Sequence, residues 1–231
     1  ATCLYNENYS GYGIDIETGN INIPCRNIRV NNCYFEGSVG GGFVSGSSTE
    51  NLIVTNSIFN NNIVNLQRLT NGEISNNIFN GEGCSIRNSN DVIISTNNFI
   101  NSGLNMDHNS GNNEKTNNIN IVNNNFNNVD NNEDKKAITT SGTNNDNSIR
   151  YILISNNTFS NFISETIYIY TKVNDLIISN NTINTNKVAR YLLFTSIGCE
   201  NTQIKNNNIL AELSEIAGNT LLMLNSINLV V

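Results

Sequence analysis

Asp15 and Glu17 are separated by a single residue in the stretch GYGIDIE, with Ile14 and Ile16 at the alternate positions. If this stretch is a strand, its isoleucines turn to a core and both carboxylates face outward on one side. Side chains alternate along a strand, and residues i and i+2 stand about 6.5 to 7 Å apart. Rotamers then set the two carboxyl groups roughly 5 to 9 Å apart, a range that serves both retaining and inverting hydrolysis of a glycosidic bond. Such chemistry needs one carboxyl to keep its proton while the other stays ionised, and mutual repulsion across that distance favours this division. The plain alternative is a solvated acidic pair on an exposed face.

Asp107 and His108 form a second candidate centre, with Arg87 twenty residues before Asp107. His108 is the only histidine. A lone histidine is more often structural or simply exposed than catalytic, and Arg87 with Asp107 reads equally well as a surface ion pair. Tyr168 and Tyr170, in TIYIYT, offer ring faces that could stack on pyranose rings; their β-propensity alone would also place them on an exposed strand.

What positions these residues is a nine-residue phrase, clearest as YILISNNTF from Tyr151 to Phe159. It returns as NIRVNNCYF from Asn27, NLIVTNSIF from Asn51, NGEISNNIF from Asn71, DVIISTNNF from Asp91, NINIVNNNF from Asn118, DLIISNNTI from Asp175 and NTQIKNNNI from Asn201. Repetition on this scale means stacked structural units, and periods of about 20 to 30 residues admit leucine-rich repeats as well as parallel β-helices. A leucine-rich repeat would set its Asn three places after the last apolar residue of a pair; here Asn156 follows Ile154 by two, and no segment shows helical periodicity. The pattern therefore predicts a β-helix, in which like residues stack about 4.8 Å apart along the axis. Ile152 and Ile154 point inward, and Phe159 follows after a turn. Asn32, Asn56, Asn76, Asn123, Asn156, Asn180 and Asn206 are expected to form a ladder whose amides bond from coil to coil and tolerate the tight bend, with Thr96 interrupting it once.

A second strand-like stretch follows each phrase, as in VNLQRL at Val64, CSIRN at Cys84, LNMDH at Leu104 and KAITTS at Lys136. GYGIDIE takes the equivalent place at the start. Stacking these stretches puts Ser45, then Asn65 and Gln67, then Ser85 and Arg87, then Asn105 and Asp107 on one outward strip. Amides, hydroxyls and an Arg on a rigid strip suit hydrogen bonding to a sugar chain. Asp15 and Asp107 stand four coils, roughly 19 Å, apart, so the two centres cannot share one bond-breaking step. The longest insertions, DHNSGNNEKT from Asp107 and NNVDNNEDKKA from Asn127, adjoin this strip, where loops off a solenoid build binding walls.

The net charge of −7, with only 12 Lys and Arg, argues against nucleic acid or an anionic membrane surface as a partner. The apolar runs are far shorter than the roughly 20 residues of a membrane span, so no membrane insertion is expected. Five cysteines at these spacings make neither a disulfide framework nor a Cys-x-x-Cys metal site. Cys33, Cys84 and Cys199 fall on or beside apolar positions and read as inert buried thiols; a Cys3–Cys25 bridge stays open.

The apolar-x-apolar-x-Asn-Asn pattern, running through nearly the whole chain, resembles the right-handed parallel β-helix proteins of the pectate-lyase-like superfamily. YGIDIETG, from Tyr12 to Gly19, is similar to the Gly-Ile-Asp-Ile-Glu stretch of phage tailspike and pre-neck appendage proteins and of bacterial β-helix enzymes that act on polysaccharides or teichoic acids. The resemblance implies a glycan-degrading spike, trimeric in the parent protein and placed on a virion or otherwise extracellular, with Asp15 and Glu17 as its acidic pair. No pectate-lyase calcium cluster is present in the sequence, so neither a metal site nor another cofactor is expected and the uronate-eliminating branch stands second.

The expectation is an all-β chain, residues 1–231 forming one right-handed parallel β-helix of about nine coils and a fragment of a longer protein. Its expected function is depolymerisation of a bacterial cell-surface polysaccharide or teichoic-acid-like polymer by acid–base hydrolysis. Asp15 and Glu17 are the catalytic pair; Asn65, Gln67, Arg87, Asp107, His108, Tyr168 and Tyr170 are the substrate contacts. A non-catalytic glycan-binding adhesin, a polysaccharide lyase and a structural shaft remain alternatives.

Overall fold

Apolar residues at every second position close into a core when each coil of chain must turn three corners and return above itself. In the computed structural model, which describes residues 13–16, 23–37, 43–45, 48–107, 115–130, 132, 135–142, 149–163, 165–185, 193–211 and 222–227, the chain does this as a parallel β-helix. Every strand pairing is parallel and joins one coil to the next, and the described residues contain no helix, hence none long and apolar enough to cross a membrane.

Three strand stacks make the walls. The long sheet runs through Cys25–Asn31, Thr49–Thr55, Leu69–Ser75, Asn90–Ser95, Thr116–Val122, Ile149–Ser155, Val173–Ser179 and Gln203–Lys205. A narrow sheet holds the end of each phrase, from Tyr34–Glu36 and Ile58–Asn60 to Asn208–Ala211; it counts eight strands among the described residues, where about nine coils were expected. The third sheet, from Ile14–Ile16 through Val64–Gln67, Cys84–Arg87, Leu104–Asp107, Ile138–Ser141 and Ile167–Ile169 to Leu222–Ile227, carries the outward strip.

The core is assembled position by position. Leu52, Val54, Ile152 and Ile154 are buried as the alternation predicts. Phe35, Phe59, Phe79, Phe99, Phe126 and Phe159 stack face on face with centroids 4.4 to 5.2 Å apart. Parallel in-register strands force identical side chains into this spacing, so the rings form a column of dispersion contacts. Ile183 takes the next place above Phe159.

The corners explain the asparagines, and here the expected ladder moves by one residue. Asn32, Asn56, Asn76, Asn123, Asn156, Asn180 and Asn206, with Thr96, are exposed and take φ between 52° and 57°. Asn tolerates this left-handed conformation because its short side chain bonds locally. The amide ladder is made by their successors: Asn77 donates to Asn97, Asn97 to Asn124, Asn124 to Asn157, Asn157 to Asn181 and Asn181 to Asn207, all at 2.9 to 3.1 Å. Each also donates to a backbone carbonyl one coil back, such as Val54 O for Asn77, so the inward turn leaves no amide proton unpaired. A second kink lies within each long strand at Asn51, Asn71, Asp91, Asn118 and their equivalents, also left-handed, and left-handed Arg68 and Asn88 stand between the third sheet and the long one.

Candidate functional site

On the third sheet, alternation sends Leu66, Ile86, Met106 and Ile138 inward and leaves their neighbours on the outer face. Two parallel rows result. In the first, Asp15 is in register with Val44, Val44 with Asn65, Asn65 with Ser85, Ser85 with Asn105, Asn105 with Thr139 and Thr139 with Tyr168. In the second, Gln67, Arg87, Asp107 and Ser141 follow one another. Asn65, Gln67, Ser85, Arg87, Asn105 and Asp107 are each half-buried, as expected for side chains standing on a sheet between neighbours 4.8 Å away.

Ser45 is a correction. It is in register with Ile16 and Leu66, fully buried, and its Oγ lies 2.7 Å from Thr49 Oγ1. Val44 takes the register position between Asp15 and Asn65, so no polar residue stands between them in that row.

The centre of the strip is an ion pair. Arg87 Nε and Nη2 both donate to Asp107 Oδ2, at 2.8 and 2.6 Å, with the side chains 39% and 14% exposed. A guanidinium so placed holds the carboxylate in one orientation and leaves Asp107 a positioning group more than a free base. Beside it Thr139 Oγ1 donates to Asn105 Oδ1 at 2.9 Å and Asn105 Nδ2 donates to Ser141 Oγ at 3.1 Å. The outer face is thus a network with fixed directions.

Asp15 is exposed on the first described strand, four strand pairings from Asp107 as the spacing requires. Glu17 and His108 lie outside the described residues, as do Cys3, Glu133 and Asp134. Asp130, in the insertion that begins at Asn127, accepts Asn101 Nδ2 at 2.7 Å at the corner leaving the narrow sheet.

Tyr168 and Tyr170 are both on the outer side, and their rings stack on each other at 5.7 Å and 17°. Lys136 Nζ sits 5.4 Å from the Tyr168 ring centroid and 3.6 Å from Glu165 Oε2. Glu165 is the site residue that the sequence pattern did not single out. A carboxylate placed two residues before the inward Ile167 of NFISETIYIY was the available signal, since a buried acid in an apolar run requires a cation nearby. A cavity of about 220 Å³ opens between Ser85, Asn105, Thr139 and Lys136, floored by Gly83 and Gly103. These glycines are set by coil stacking: a Cβ on Gly83 would collide with Gly103 O, and one on Gly103 with Lys136 O.

Cys84 and Cys199 are buried free thiols, and burial pushes Cys84 up to about 12. Cys25 and Cys33 are free and only partly buried. Among the described residues, no three His, Cys, Asp or Glu side chains converge as metal ligands.

No protein-family model and no curated protein sequence matches the chain. Among solved structures, the A-module of the Azotobacter vinelandii mannuronan C-5 epimerase AlgE6 is similar, with a TM-score of 0.56 and 14% sequence identity. The similarity covers 87% of this chain and 64% of that one, so the chain spans less than two thirds of that module's length. At this identity the likeness is one of fold, and the fold shared is the parallel β-helix.

Proposed function

We propose that the chain is a carbohydrate-acting β-helix that holds an extended cell-surface polysaccharide or teichoic-acid-like polymer along its third sheet and cleaves it by acid–base hydrolysis. The observation that carries this is the strip itself: half-buried amide, hydroxyl and guanidinium groups from Asn65 to Ser141 on rigid strands, ending at the Tyr168–Tyr170 stack. Fixed hydrogen-bonding groups beside an aromatic surface match the alternating polar rim and apolar face of a sugar ring. The neighbour's name, a mannuronan C-5 epimerase, supports a polysaccharide as the ligand class.

Within this reading Asp15 and Glu17 are the acid–base pair, because Asp107 is held by Arg87 and serves orientation. A polymer of that kind sets the protein outside the cell or on a virion surface, where a trimeric parent would present several strips. That same engagement of Asp107 favours, as the second reading, a binder that holds glycan without cutting it.

The two part on product release. Reducing-end and phosphate release from a panel of capsular polysaccharides and wall teichoic acids is measured for the wild type, Asp15→Asn and Glu17→Gln, alongside binding. Hydrolysis predicts release that either substitution abolishes while binding persists. Binding without release from any polymer overturns hydrolysis and leaves the binder; unsaturated products would replace it with elimination.

A further inference from the structure

We infer that the polymer held by this strip is uncharged, a chain of neutral hexose or N-acetylhexosamine units. The inference rests on the glycan reading above and narrows it. It follows from where the cations around the strip already point.

Arg87 places two donors on Asp107 Oδ2. Lys136, on the wall of the cavity, lies 3.6 Å from Glu165, whose side chain is 6% exposed. Lys135 Nζ donates to Gly81 O at 3.0 Å, and Lys172 pairs with Glu200 at 3.0 Å. Arg68, at the bend after Gln67, is engaged as well. Arg87, Lys136, Lys135, Lys172 and Arg68 are therefore already in use, and Lys115, exposed at the corner after the Asp107 strand, is the exception among the described residues of the strip and its near corners.

An anionic sugar would have to share these cations with the carboxylates that they already face. Removing Lys136 from Glu165, or Arg87 from Asp107, would leave a largely buried carboxylate uncompensated, and that cost exceeds what a half-exposed ligand contact returns. The acidic chain, with a net charge of −7, adds a long-range repulsion toward any polyanion. What the cavity does offer is the hydroxyls of Ser85 and Thr139, the Asn105 amide, the bare backbone of Gly83 and Gly103, and the nearby Tyr168 ring. That inventory fits hydroxyl and acetamido groups over apolar ring carbons. The cavity's one cation among the described residues, Lys136, already faces Glu165 and the Tyr168 ring.

The test is calorimetric titration of the full chain with a panel of acidic oligosaccharides, each paired with its carboxyl-reduced form, and with a glycerol phosphate oligomer, at low and high salt. The expected result is that the reduced, neutral forms bind at least about tenfold more tightly than their acidic counterparts, with affinity changing less than about twofold across the salt series. Tighter binding of an acidic form or of the phosphate oligomer, weakening as salt rises, would overturn the inference while leaving the glycan strip intact. Binding of neither member of any pair would overturn the glycan reading itself, and this inference with it.

Discussion

Asn97 accepts both the backbone N–H and the side-chain amide of Asn77 on its Oδ1, at 2.9 and 3.0 Å, from within the wall of the coil. Asn97 in turn donates to Ile74 O and to Asn124 Oδ1. Replacing Asn97 by Leu would orphan a buried backbone donor as well as the ladder. The expected cost is about 2 to 4 kcal/mol. Asn123→Gly, at an exposed left-handed corner, should stay within about 0.5 kcal/mol. Urea midpoints for the two variants check this, and equal shifts would mean that the buried ladder contributes no more than the exposed corner.

Thr96 is the one β-branched residue among the eight corners that open the narrow sheet, with φ of 53°. A branched Cβ is disfavoured there, and asparagine fills the other seven corners. Thr96→Asn should therefore stabilise the protein by about 1 kcal/mol. The readout is the thermal midpoint, and a fall would show that the bond from Thr96 Oγ1 to Ser95 O, at 2.7 Å, matters more than the backbone strain.

Cys84 couples stability to alkaline pH. Burial raises its folded value to about 12 from an ordinary 9.0, so between these the unfolded chain has lost a proton that the folded chain keeps. Stability must then fall as pH rises through that window. Tyr34 moves in the same direction through its hydrogen bond to Glu36, but on an exposed face where solvent screens it. Cys84→Ala should flatten the alkaline decline at a baseline cost of about 1 kcal/mol. An unchanged slope in unfolding curves from pH 8 to 11 would assign the decline to other groups.

The solenoid was legible because its signal repeats: each copy of the phrase carries the same alternation, and Phe159 and its equivalents meet in one column. The identity of the inward amide was not, because both candidates are Asn in Asn156–Asn157 and neither type nor spacing separates them; only the left-handed φ of Asn156 does. Ser45 misled for a related reason. Phe43 and Val44 are adjacent apolar residues, so the sequence allows either register, and pairing with Ile14 and Ile16 selects the one that buries Ser45. Glu165 stayed hidden because it sits at a bend, outside any alternation, and its partner Lys136 is supplied by the previous coil.

The Arg87–Asp107 pair is the point on which binding chemistry turns. If Asp107 depends on Arg87 for compensation, Arg87→Met and Asp107→Leu should each destabilise more than a surface substitution, and the double variant should recover part of the loss. The expected coupling is about 1 kcal/mol, at the low end for a shielded pair because Arg87 is 39% exposed and solvent screens it. A double-mutant cycle by urea denaturation measures it directly. A coupling indistinguishable from zero would mean that Arg87 can leave Asp107 without penalty; the guanidinium would then be open to a carboxylate or phosphate, and the case for a neutral glycan would lose its main support.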